Sequence, residues 1–329
     1  MSSLREILET HQVAIYFAAV AAAALVGLLV PGAMILEATI NPALAVMLFV
    51  TFLQVPLDEL GRALVRVRFV AALLIANFVV IPGFVLVLAQ FLPSDPMIQL
   101  GVLLVLLAPC IDYVVTFSQI GRADARLLLA STPALLLLQM LLLPLYLGLF
   151  LGDDAAGLVQ AGPFLHAFVW LIAGPLVLAG IVRTFAARIA GFAKMSSGLS
   201  LLPVPATAIV LFVVIASVTP QLGLALDGAL RALPLYVAYA AIAPLLGWGV
   251  ARLVGLEAPA GRAVAFSAGT RNSLVVLPLA FAVPGAVPVL PAVIVMQTLV
   301  ELVASLAYMR LIPKLGSQNR NFIASSGTG

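Results

Sequence analysis

Ten times along the chain, at about 13–30, 41–57, 69–92, 97–119, 127–151, 163–183, 199–219, 231–251, 263–283 and 288–312, apolar side chains run on for long enough to cross a bilayer. A helix needs roughly 20 such residues to do so. Of the 329 residues, 64% are hydrophobic and 9% charged, with a mean hydropathy of +1.23. Soluble proteins carry roughly 45–50% apolar and about 25% charged residues, and a water-soluble body of this size has too little interior to hide so much Leu, Val and Ala. A soluble enzyme, a disordered chain and a secreted disulfide scaffold are excluded. The single cysteine, Cys110, excludes an internal disulfide or a cysteine-cluster metal site. A net charge of +3 gives no reason to expect a nucleic-acid partner. The sequence predicts an all-α polytopic membrane protein.

The basic residues orient it. Arg5, Arg62, Arg66, Arg68, Arg122, Arg126, Arg183, Arg188, Lys194, Arg252, Arg262, Arg310, Lys314 and Arg320 all fall on one side of such a ten-span chain, 14 of the 16 Lys and Arg. Arg231 falls on the other side and Arg271 inside a span. Basic loops favour the cytoplasm, so both termini are expected there, in the plasma membrane. The first run follows Arg5, but nine more succeed it, and it is expected to stay as an anchor rather than be cleaved. The expected organisation is a cytoplasmic N-terminal segment (1–12), a five-helix repeat (13–151), an outer loop (152–162), a second five-helix repeat (163–312) and a cytoplasmic tail (313–329).

Five spans repeated must insert in opposite orientations, the inverted-repeat design of many secondary transporters. Spans 4 and 9 are each interrupted near the middle, by Ala108-Pro109-Cys110 and by Gly269-Thr270-Arg271-Asn272. Proline removes a helix hydrogen bond and glycine loosens the backbone. The freed groups are tolerated at that depth only where protein or a water-filled cavity satisfies them. The two breaks are therefore expected to cross at the midplane.

Three ionisable residues fall at one depth. Asp112 precedes Arg122 by ten residues, Arg271 follows Arg262 by nine, and Glu301 precedes Arg310 by nine. At 1.5 Å per residue each lies roughly 14–15 Å from the same face, where a charge costs about 2.5–3.5 kcal/mol. Arg271 is expected to pair with Asp112, leaving Glu301 as a second carboxylate. Desolvation favours the neutral form of a carboxyl without a charge partner, so Glu301, with Asp112, is a candidate proton carrier. A purely structural Asp112–Arg271 pair is the alternative. Asn272 and Ser273 beside Arg271 could touch substrate, and Asn77, Thr116, Gln139, Ser267, Thr270 and Gln297 could line the same cavity. Thr51 and Gln54 look like helix-to-helix contacts. His11 and His166 are too far apart in sequence for a zinc motif, and no metal set, cofactor motif or nucleophile–base set is visible.

The stretches Leu107-Ala108-Pro109-Cys110 through Gly121-Arg122-Ala123-Asp124, Phe266-Ser267-Ala268-Gly269-Thr270-Arg271-Asn272-Ser273 and Leu299-Val300-Glu301, with Asn77 and Pro82 in span 3, resemble the bile acid/sodium symporter superfamily. The closest likeness is to its arsenite efflux (arsenic resistance) branch. The resemblance implies a panel of spans 1, 2, 6 and 7 and a core of spans 3–5 and 8–10, with substrate where spans 4 and 9 cross. Sodium symporters of this superfamily present an acidic residue and a glutamine on span 9, where Ser267 and Arg271 stand here; a guanidinium offers only donors. Arsenite exporters carry the cysteine and glutamate matched by Cys110 and Glu301, and a further glutamate where Leu274 stands here. Neutral arsenite suits one soft sulfur, while a guanidinium suits a carboxylate or oxyanion. The expected function is therefore a secondary active transporter, an antiporter exporting arsenite or a related metalloid against protons. A transporter of small organic anions bound by Arg271 is the alternative, and a passive channel is a third.

Overall fold

The structure is a computed structural model that describes residues 2–54, 66–111, 113–151, 162, 166, 169–186, 188–281, 283–286 and 288–316. Asp112, Arg62, Arg320, and most of the expected outer loop and tail lie outside the described residues. All named elements are helical. The chain runs α1 (Ser2–Leu29), a 3-10 segment (Pro31–Thr39), α2 (Ile40–Gln54), α3 (Val67–Ala89), α4 (Pro96–Leu106), α5 (Val114–Ile120) and α6 (Ala125–Leu151). There follow a π turn (Val169–Ala173), α7 (Gly174–Ala186), α8 (Ala190–Leu199), α9 (Pro203–Val218), α10 (Leu222–Leu253), α11 (Ala258–Gly269), α12 (Ser273–Phe281) and α13 (Val289–Leu311).

Six of the described helical segments are long and apolar enough to cross a membrane, and α4, α7 and α9 are shorter apolar helices. The outward faces carry leucines in the open, such as Leu29, Leu141, Leu149 and Leu253, as a surface solvated by lipid rather than water requires. The first helix begins at Ser2, ahead of the apolar run. The segment before the apolar run holds good helix formers, and Arg5 and Glu9 pair one turn apart at 2.7 Å.

Two sets of helices pack mainly among themselves. α1 lies along α9, and α7 and α9 flank α2; α10 packs on α11 and α13, and α4 on α13 and α6. Small residues permit the closest approaches. A Cβ on Gly247 of α10 would come within 2.6 Å of the Ala268 Cβ on α11, so these backbones nearly touch.

Prolines inside the helices leave carbonyls without their usual donor, and tyrosines from neighbouring helices supply it. Pro82 has no N–H for the Phe78 carbonyl, which accepts the Tyr146 hydroxyl of α6 at 2.5 Å. Pro244 in α10 likewise frees the Ala240 carbonyl, which accepts the Tyr308 hydroxyl of α13 at 2.6 Å. Tyr308→Phe is expected to cost about 1–2 kcal/mol, read as a lower unfolding temperature of the purified protein. In a Pro244→Ala background the restored N–H should remove most of that cost. An equal cost in both backgrounds would show that the tyrosine does not replace the proline's missing donor.

Candidate functional site

The α4 helix starts cleanly and stops early. Asp95 caps it, accepting from the N–H groups of Met97 and Ile98 at 2.8 and 3.2 Å, with Pro96 in the first turn. It ends at Leu106, and helix resumes only at Val114. The α11 helix ends at Gly269 and resumes at Ser273. These two interruptions meet. Pro109 and Arg271 form an antiparallel bridge, in which the Cys110 N–H donates to the Thr270 carbonyl at 3.2 Å and the Asn272 N–H to the Ala108 carbonyl at 2.7 Å. The loosened backbone of each break thus satisfies the other.

Arg271 works at both ends of this bridge. Its main-chain N–H donates to Glu301 Oε2 at 2.6 Å. Its side chain turns back along α11, where Nη2 donates to the Ser267 and Ala268 carbonyls at 2.7 and 3.0 Å and to Asn77 Oδ1 at 2.8 Å. Nη1 donates to the Leu106 carbonyl at 3.4 Å, the last residue of α4. The guanidinium therefore caps the negative ends of both half-helices, each equivalent to roughly half a negative charge. The face of Tyr239 lies 5.5 Å from it. None of these partners is a carboxylate. The expected partner, Asp112, lies outside the described residues, and the other expected acid, Glu301, meets the Arg271 backbone instead of its side chain.

Glu301 receives three donors. Besides the Arg271 N–H, Gln297 Nε2 donates to Oε2 at 2.6 Å and the Tyr113 hydroxyl to Oε1 at 2.8 Å. Asn77 sits at a π turn (Ala76–Val80) of α3 and donates to Ser267 Oγ at 3.0 Å; such single-turn π segments often mark functional positions. Of the expected site residues, the structure brings Asn77, Ser267, Thr270, Arg271, Asn272, Gln297 and Glu301 together around the crossover. Ser273 is spent on Thr298, 2.8 Å away. Cys110 is fully buried and lies apart from the cavity described next, as does Gln139, whose amide has no partner among the described residues.

A cavity of 660 Å³ opens beside the crossover, between α1, α2 and α9 on one side and Ile111, Tyr113 and α5 on the other. Gln12, Tyr16, Thr51, Gln54, Tyr113, Thr116, Gln119 and Thr207 give it a polar lining, with Arg5, Glu6 and Glu9 also on its wall. Thr116 was expected there. Gln12, Tyr16, Gln119, Thr207 and Tyr113 were not, and Thr51 and Gln54 face the cavity rather than serving only as helix contacts. Gln12 is 2% exposed and its Nε2 has no partner among the described residues. Tyr113 belongs to both places: it lines the cavity and holds Glu301.

The sodium bile acid symporter family model matches residues 41–225, more than half of the chain. The chain belongs to the sodium bile acid symporter family. No curated protein matches it. Membership makes it a membrane transporter rather than an enzyme, with a small-molecule substrate, in keeping with its apolar helices. The matched region of this family member contains α4, α5, α9 and most of the cavity wall, while the α1 residues of the lining precede it.

Glu301→Ala should leave three buried donors unpartnered and lower stability by about 3 kcal/mol or more. Glu301→Gln, which keeps two acceptor lone pairs, should cost clearly less. Thermal unfolding in one detergent checks both, and similar losses for the two variants would count against the three-donor clasp as a stabilising unit.

Proposed function

We propose that this family member is a proton-coupled secondary active transporter with ten spans, in which the shorter and interrupted helices complete the count begun by the six long ones. The 660 Å³ cavity holds the substrate, and Glu301 carries the coupling proton. The observation that carries this proposal is the Tyr113 hydroxyl, which joins the cavity wall to Glu301 at 2.8 Å. A substrate arriving in the cavity and a proton on Glu301 then act on the same side chain. With the N-terminal end of α1 on the cavity wall, and basic loops on the cytoplasmic side, the cavity faces the cytoplasm of the plasma membrane.

The lining suits a small, uncharged, hydroxyl-bearing molecule. Hydroxyls and amides from Thr51, Gln54, Thr116, Gln119 and Thr207 offer both donors and acceptors. Arsenite, neutral at pH 7, is the leading substrate by this chemistry; Cys110 lies outside the lining, one residue before the cavity-lining Ile111, and is the thiol that recognises arsenic as the substrate passes from the cavity toward the crossover. Export against protons then follows alternating access about the crossover.

A small organic anion is the second possibility, supported by two donors without partners among the described residues, Arg271 Nε and Asn272 Nδ2.

Cells lacking their own arsenite exporter should accumulate less arsenite when they express the wild type, and Cys110→Ser should lose that protection. No difference from empty cells, with the protein present in the membrane, rejects arsenite and directs the search to small carboxylates. In reconstituted vesicles Glu301→Gln should abolish proton-driven net transport of whichever substrate is found while counter-exchange persists. Full net transport by that variant would remove Glu301 from coupling.

A further inference from the structure

Arg271 is among the largest fully buried side chains of the described residues, and its two terminal nitrogens meet four oxygen acceptors. Three are main-chain carbonyls at the ends of α4 and α11, those of Leu106, Ser267 and Ala268. The fourth is Asn77 Oδ1, whose amide is itself fixed by donating to the Leu73 carbonyl and to Ser267 Oγ, each at 3.0 Å. The Tyr239 ring presents its negative face to the same charge. Four neutral oxygens drawn from three helices, with two helix C-termini behind them, form a shell that solvates a positive charge. Among the described residues this shell holds none of the carboxylates that divalent cations usually recruit.

We infer that the crossover is a monovalent-cation cage which the chain fills with its own guanidinium, and that removing the guanidinium opens the cage to a free alkali cation. The tethered charge cannot dissociate, so it holds the two half-helix ends together at every stage of a cycle. It also needs no cation from solution. This inference stands on the oxygen shell and is independent of which substrate the cavity carries.

The test uses the purified full-length protein in detergent: wild type, Arg271→Ala, and the double variant Arg271→Ala/Asn77→Ala. Thermal unfolding is followed in sodium, potassium or N-methylglucamine chloride at equal ionic strength, and in N-methylglucamine chloride supplemented with methylguanidinium. The wild type should unfold at one temperature in all of them. Arg271→Ala should unfold several degrees lower in N-methylglucamine and recover with sodium or potassium, the midpoint rising with the logarithm of cation concentration. Methylguanidinium should also restore it, and the double variant should lose most of the alkali response. A folded Arg271→Ala protein indifferent to all these cations overturns the inference. Rescue by methylguanidinium alone overturns the alkali-cation assignment, and so does a wild type that itself requires sodium or potassium. If Arg271→Ala is not recovered folded in N-methylglucamine, its monodisperse yield by size exclusion becomes the measurement. Recovery on adding an alkali salt supports the cage, and failure in every salt rejects it.

Discussion

A helix that stops inside a membrane leaves N–H and C=O groups where no water can reach them, and the rest of this molecule is arranged around two such stops. The Pro109–Arg271 bridge removes part of the deficit by letting each interruption bond to the other. The carbonyls that remain at the ends of α4 and α11 carry the negative ends of two helix dipoles. One guanidinium, with about one positive charge against roughly two halves of a negative one, answers them together. Glu301 performs the opposite service, accepting the N–H that the same break exposes on Arg271. Arg271 and Glu301 are thus coupled through one residue's backbone rather than as an ion pair.

The same rule extends outward through the tyrosines. Tyr308 meets the carbonyl freed by Pro244 and also lies 3.4 Å from the Gly269 carbonyl at the end of α11. Tyr239, one turn before Pro244, donates to the Ala268 carbonyl at 2.7 Å. The bend in α10 and the break in α11 are therefore joined by shared donors, and Gly247 allows the backbones to close on each other. Interhelical hydrogen bonds in membranes are individually weak, at roughly 0.6 kcal/mol on average. What gives these ones consequence is that each satisfies a carbonyl whose usual helical partner is missing.

Much of this was legible in the sequence, and the limits have a physical cause. Apolar length marked the helices, and Pro109 and Gly269 marked the interruptions. Counting 1.5 Å per residue from the basic ends put Arg271 and Glu301 at one depth. Depth along a helix says nothing of direction around it. Matching charge to charge paired the Arg271 side chain with Asp112, which lies outside the described residues, while the uncharged carbonyls that the guanidinium meets are displayed by no residue letter. Tyr113 escaped notice because a tyrosine in an apolar run reads as core, and its role depends on a partner 188 positions away. Tyr16 escaped for the same reason, and Gln12 because it precedes the apolar run, whereas helix propensity and an i,i+4 ion pair carry α1 back to Ser2.

The distribution of satisfied and unsatisfied groups separates what holds from what moves. Around the crossover the main-chain ends are partnered by each other, by the Arg271 guanidinium and from α10 and α13, and breaking any one of those bonds strands a polar group in a low-dielectric interior. Across the cavity, by contrast, α1, α2 and α9 face the crossover helices with hydroxyls and amides that water can serve as well as protein can. Sliding along that wetted face costs little, while parting the crossover costs several buried hydrogen bonds. Under the proposed function, that difference favours a transport cycle in which the crossover moves as a unit against α1, α2 and α9. In that proposed cycle Tyr113, on the cavity wall and bonded to Glu301, is the residue through which the state of the cavity would reach the buried carboxylate.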